Sequence, residues 1–167
     1  MGPGSYTGLR IGVSFAKGFC YGLDIPLIGV STLRQMALSA AVKLKNQAPL
    51  NALFCPMIDA RRMEVYCAIY DLDNQIVQDT EAKIIDQDSF SDLLGEHRVY
   101  FFGDGAPKCK EQLTTHANTF LYPGINPSAE FMIPFSEKAF QDEDFQNVAY
   151  FEPYYLKDFV STIPNKK

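Results

Sequence analysis

Three places in the sequence gather residue types that could do chemistry. The first is Gly2-Pro3-Gly4-Ser5, followed by Thr7 and Gly8 and then a long apolar stretch. Glycine reaches backbone angles closed to other residues, and a serine or threonine oxygen accepts from the free N–H groups that open a helix. Gly2, Gly4, Ser5 and Thr7 could therefore cradle an anion at a helix start, where free N–H groups and the helix dipole meet. A tight turn with a cap is the plainer reading of the same residues. No Lys-Ser/Thr pair follows at Walker spacing, and the third glycine falls one place late for the dinucleotide fingerprint.

The second place is Asp59-Ala60-Arg61-Arg62 with Glu64, the densest charged cluster in the chain. Two arginines could grip a phosphate or a carboxylate through their planar forks. Alternatively, Asp59, Arg61, Arg62 and Glu64 sit at a hairpin tip and satisfy one another by ion pairing and solvation. The third is a scatter of potential ligands and acids. Asp104 lies between two glycines, which is usually turn chemistry, although a catalytic acid could also stand there. His97 and His116 have no metal-ligand spacing, and the four cysteines, Cys20, Cys55, Cys67 and Cys109, form no C-x-x-C pair. No G-x-S-x-G elbow is present. No catalytic residue, metal ligand or bound cofactor is assigned on this ground.

The elements that must position these groups follow from periodicity. A helix is expected from about Thr7 to Tyr21. Leu9, Val13, Ala16 and Cys20 line one face, Ile11, Phe15 and Phe19 line another, and Gly8, Gly12 and Ala16 form a row of small residues. Only Arg10, Ser14 and Lys17 mark a polar stripe, so the helix is expected to be enclosed by its own chain or by a partner. Leu27–Val30 reads as a short buried strand. A second helix begins at Ser31 or Thr32, with Thr32 and Gln35 spaced as a capping box. From Leu50 the period becomes that of strands: Leu50–Ile58, Glu64–Tyr70 and Ile76–Ile85, then Arg98–Phe102 after a short helix at Ser89–Leu94. In Glu64–Tyr70, Val65, Cys67 and Ile69 face away from Tyr66, Ala68 and Tyr70. A helix with Pro107 near its start comes next, then one over Ser128–Phe140 that Pro134 must kink or split. An aromatic tail, Tyr150–Phe159, is expected to pack. Strands and helices mixed in this way make an α/β or α+β protein.

Composition narrows the class further. The 167 residues carry 20 acidic against 15 basic side chains, a net charge of −5, and the 13 Phe and nine Tyr supply enough apolar area for a core. An acidic chain without a basic run is a poor candidate for holding nucleic acid by its own phosphate contacts. No apolar run is long enough to span a membrane, and the start has no signal-peptide pattern. Free, mostly buried thiols and a cytoplasmic location are the expectation.

Gly2-Pro3-Gly4-Ser5-Tyr6-Thr7-Gly8-Leu9-Arg10-Ile11-Gly12, running on through Ala16-Lys17-Gly18, resembles the signature of the TsaB (YeaZ) family. Ile28-Gly29-Val30-Ser31-Thr32-Leu33, Asp59-Ala60-Arg61-Arg62 with Glu64-Val65-Tyr66, and Pro153-Tyr154-Tyr155-Leu156-Lys157 fit further blocks in the same order. The resemblance implies a degenerate actin-like, sugar-kinase-like ATPase fold. It also implies a non-catalytic scaffold that pairs with the catalytic paralogue TsaD and works with the ATPase TsaE. The complex, which uses ATP, places threonylcarbamoyl on the adenosine next to the anticodon of tRNA. A homodimer is also expected from the resemblance, and tRNA is met only through the complex. A glycoprotease-type peptidase and a nucleotide-binding regulator are the rival functions.

Family members normally begin with strands, a helix and an Asp-Thr-Ser turn ahead of the glycine block. The expectation is therefore that residues 1–48 are the remainder of a truncated first actin-like subdomain and 49–167 the second. Lys157 stands where arginine is usual, keeping the charge but losing the bidentate fork. In the catalytic paralogue a related block carries two histidines, four apart, that bind the active-site metal. Thr32 and Met36 fall at those positions here, and a hydroxyl and a thioether are poor replacements for imidazole. The apolar face carrying Leu9, Val13, Ala16 and Cys20 is the expected partner interface.

Overall fold

The computed structural model describes residues 1–157. Ten regular elements follow in order: α1 (Tyr6–Leu23), α2 (Thr32–Leu44), β1 (Ala52–Asp59), β2 (Glu64–Tyr70), β3 (Ile76–Ile84), α3 (Ser91–Leu94), β4 (Arg98–Phe102), α4 (Lys110–Leu113), β5 (Thr119–Leu121) and α5 (Ile133–Gln141). Single 3₁₀ turns, Pro107–Cys109 and Ala129–Met132, lead into α4 and α5. Pro134 stands in the first turn of α5, where its missing N–H costs nothing, and so divides the expected Ser128–Phe140 helix into two pieces.

The strands form one sheet in the order β3-β2-β1-β4-β5. β3, β2 and β1 are an antiparallel meander, whereas β4 runs parallel to β1, with Leu53 opposite Val99, and β5 runs parallel to β4. The crossover between parallel strands needs an intervening helix, and α3 occupies that connection. β5 carries no alternating signal in the sequence; it is a three-residue edge whose Phe120 stacks on Tyr100.

Both faces of the sheet are covered. On one, Phe54, Ile58, Ala68, Tyr70, Tyr100 and Phe102 meet Leu33, Met36, Ala37, Ala40 and Leu44 of α2. On the other, Cys55, Met57, Val65, Cys67, Ile69 and Phe101 meet Phe90, Leu94, Cys109 and Leu113. The alternation in β2 therefore sends its two residue sets into two different cores. Fully burying one such large side chain contributes about 1.5–3 kcal/mol. α2 shares its core with the sheet of residues 49 onward.

Several local expectations change. Leu27–Val30 joins no ladder of the sheet. Leu27 makes an isolated bridge to Gln146, and Leu27 and Val30 are buried by packing instead. The cap of α2 is Ser31, whose Oγ accepts from the Arg34 amide, and no capping box closes. Gln35 points inward, where its Oε1 accepts from the Ser128 amide. Of the aromatic tail, Phe151 lies against Gly29 and Tyr155 stacks on Tyr6, while Tyr150 is exposed. Phe159 is outside the described residues.

The largest departure is α1. A helix so apolar was expected to be enclosed, yet none of its 18 residues is buried. What the chain supplies is a seat on one side. Lys17 Nζ donates to the carbonyls of Ala149 and Phe151, Tyr6 stacks on Tyr155, and Leu9 lies against Gly2. The opposite side has no cover among the described residues.

Candidate functional site

The glycine turn is tied down at both ends. The Gly2 carbonyl accepts from the Thr32 amide, and the Met1 carbonyl accepts from the Tyr154 amide. At Gly2 the backbone has φ +126°, and a Cβ would stand 3.2 Å from the Tyr154 carbonyl oxygen, so glycine is required there. Ser5 caps α1, its Oγ accepting from the Gly8 amide at 3.4 Å. Gly4 and Ser5 border a cleft of about 380 Å³ whose other walls include Tyr66, Tyr155, Arg61 and Lys157. Thr7 is exposed and does not line that cleft.

The β1–β2 hairpin tip forms the facing wall. Asp104 Oδ1 accepts from the Asp59 amide at 3.0 Å, and Asp59 Oδ1 accepts from the Arg61 amide at 2.7 Å. Lys108 pairs with the Asp59 carboxylate and donates to the Glu64 carbonyl at 2.7 Å, and Lys157 pairs with the Glu64 carboxylate. The Lys108 ammonium, with the Arg61 amide and charge behind it, holds the Asp59 carboxyl below the usual carboxylate range. Mutual pairing of the arginines with Asp59 and Glu64 was the simpler expectation from the sequence. Instead, two lysines from distant elements take both acids. Arg61 and Arg62, at φ +70° and +50°, make no ion pair among the described residues. Asp104 is a backbone-positioning acid.

On α1, Leu9, Val13, Ala16 and Cys20 are half-buried and lie on the side of Lys17, which is bound to the C-terminal segment. The exposed apolar row is Ile11, Phe15 and Phe19, at 66%, 71% and 55% exposure, with Phe15 and Phe19 stacked at 5.9 Å. The helical spacing of both rows was legible in the sequence. Which row faced outward was not, since that depends on where residues 149–151 return.

The positions matched to metal-binding histidines do not fit a metal. Met36 is fully buried in the α2–sheet core, and Thr32 opens α2 with its amide bonded to Gly2. Among the described residues no group of three His, Cys, Asp or Glu side chains stands together to hold a metal ion. His97 Nδ1 lies 3.2 Å from the Asn51 carbonyl oxygen, and neither histidine is hydrogen-bonded to a serine or cysteine side chain among those residues. Cys20 is half-buried and the other three thiols are buried and free. Burial pushes the Cys55 and Cys109 thiols up, away from nucleophilic thiolate. No helix among the described residues is long and apolar enough to cross a membrane.

Solved structures share this architecture. A Pseudomonas aeruginosa protein described as similar to peptidase YEAZ superposes with a TM-score of 0.74 at 23% identity, covering 93% of this chain and 70% of that one. YeaZ from the same organism gives 0.67 at 22% identity, covering 93% and 71%. The five-stranded mixed sheet and this likeness, with the family-model match that follows, place the chain in the actin-like, sugar-kinase-like ATPase fold. The family model for TsaD, tRNA N6-adenosine threonylcarbamoyltransferase, matches residues 1–161. The tRNA threonylcarbamoyladenosine biosynthesis protein TsaB of Escherichia coli is 35% identical over 99% of this chain and 73% of its own length. TsaB of Bacillus subtilis is 40% identical over 51% of this chain and 36% of its own length. The chain belongs to the TsaB (YeaZ) family.

Proposed function

We propose that this chain is a non-catalytic subunit of the machinery that forms N6-threonylcarbamoyladenosine in tRNA, and that it acts by pairing with the threonylcarbamoyltransferase TsaD through α1. The observation that carries this reading is the exposed row Ile11, Phe15 and Phe19 on a helix with no buried residue. A contiguous apolar row of this kind on a folded chain marks an interaction surface. Leu9, Val13, Ala16 and Cys20 flank it and supply the helix's own seating. Replacement of the paralogue's histidine positions by Thr32 and Met36 supports a subunit without catalysis. The acidic balance of the chain supports contact with tRNA through partners, TsaE among them.

Size-exclusion chromatography with light scattering, on this chain alone and mixed with TsaD of the same organism, tests the reading. A one-to-one species is expected, and Phe15→Asp should abolish it while leaving the circular dichroism spectrum unchanged. A folded Phe15→Asp variant that binds with unaltered affinity would overturn the assignment of the face. Should the chain alone elute as a dimer that Phe15→Asp dissociates, and ignore TsaD, the row serves a second copy instead.

A further inference from the structure

We propose that the cleft between the start of α1 and the β1–β2 tip binds a small, metal-free oxyanion, a phosphate or carboxylate group, with Arg61 as its reader. The inference goes beyond the partner reading and is independent of it. At 100° per residue, Tyr6 and Leu9, which line the cleft, fall on the side of α1 opposite Phe15.

The argument begins with charge. Asp59, which lines the cleft, and Glu64, which pairs with Lys157 of its wall, are each engaged by a lysine, Lys108 and Lys157 respectively. Asp104 Oδ1 is occupied by the Asp59 amide. Arg61 lines the cleft, and its guanidinium has no ion pair or hydrogen bond among the described residues. Arg61 is therefore the lining cation left without a protein partner among the described residues, and it is placed at the wall by a tip held through the Asp104, Lys108 and Lys157 contacts. A guanidinium presents parallel N–H groups that match the two oxygens of a phosphate or carboxylate. The volume of about 380 Å³ suits a small ligand, and Tyr66, Tyr154 and Tyr155 also line the wall. Lysines already hold the Asp59 and Glu64 carboxylates, which disfavours a divalent cation as the bridge.

Nuclear magnetic resonance titration of the chain with sodium phosphate and, separately, sodium acetate at constant ionic strength tests the site. Saturable shifts are expected at the amides of Gly4, Ser5 and Ala60. Arg61→Gln should weaken binding about tenfold, the loss expected for one charge-assisted pair. Arg62→Gln, which lies outside the cleft, should leave the affinity within about twofold. Tighter binding of phosphate identifies a phosphorylated ligand, and tighter binding of acetate a carboxylate. Absence of saturable shifts, or equal losses in the two arginine variants, would overturn the proposal. Binding of ATP that tightens on adding magnesium would overturn the metal-free class.

Discussion

At Gly103 the chain has no room for a side chain. The backbone sits at φ +98°, and a Cβ would lie 2.3 Å from the Met57 carbonyl oxygen. This close approach lets Asp104 reach the Asp59 amide and hold the hairpin tip. Gly103→Ala should cost at least about 2 kcal/mol, since strain and a backbone clash add. Urea denaturation would measure it, and an unshifted midpoint would show that the loop relaxes freely. Glycine-Asp-glycine was readable in the sequence as turn chemistry. The partners of Asp59 and Glu64 were not, because Lys108 and Lys157 come from 49 and 93 residues away. Local charge spacing favours the nearest arginine on paper; the folded backbone brings a lysine instead.

At the scale of elements, α1 and α2 make the instructive contrast. Both show helical spacing of apolar residues and both have a serine cap. α2 buries eight residues against the sheet, and α1 buries none. Local stability follows burial rather than helix propensity. Hydrogen exchange should therefore find the α2 amides protected close to the global unfolding limit and those of α1 exchanging by local opening. Equal protection would mean that α1 has cover that the single chain does not show. Helix existence was legible from period and caps, to within two residues at each end of α1. Its exposure was not, since periodicity records that a face is apolar and is silent about what meets it. Leu27–Val30 failed as a strand for a related reason: an apolar run signals burial, and burial there comes from packing without a ladder.

For the whole molecule, the two cores on either side of the sheet carry the stability, and α1 stands apart as surface. Phe101, fully buried beside Phe90, and Phe15, 71% exposed, are the same residue in opposite roles. Phe101→Ala should lose about 3–5 kcal/mol. Phe15→Ala should stay within about 0.5 kcal/mol of the parent, as expected for a surface change. Chemical denaturation of the two variants checks both values, and a large loss at Phe15 would make the α1 row part of the chain's own fold.

The sequence by itself determined the strands β1 to β4, the division of β2 between two faces, the two long helices and the family, because these rest on periodicity and on motifs contiguous in the chain. Tertiary structure alone decided which row of α1 faces outward, which cations neutralise Asp59 and Glu64, and that Arg61, at a cleft, has no ion pair among the described residues. Those depend on where residues far apart in sequence return in space. Pairing and burial are settled by distance in the fold, and spacing along the chain does not encode that distance.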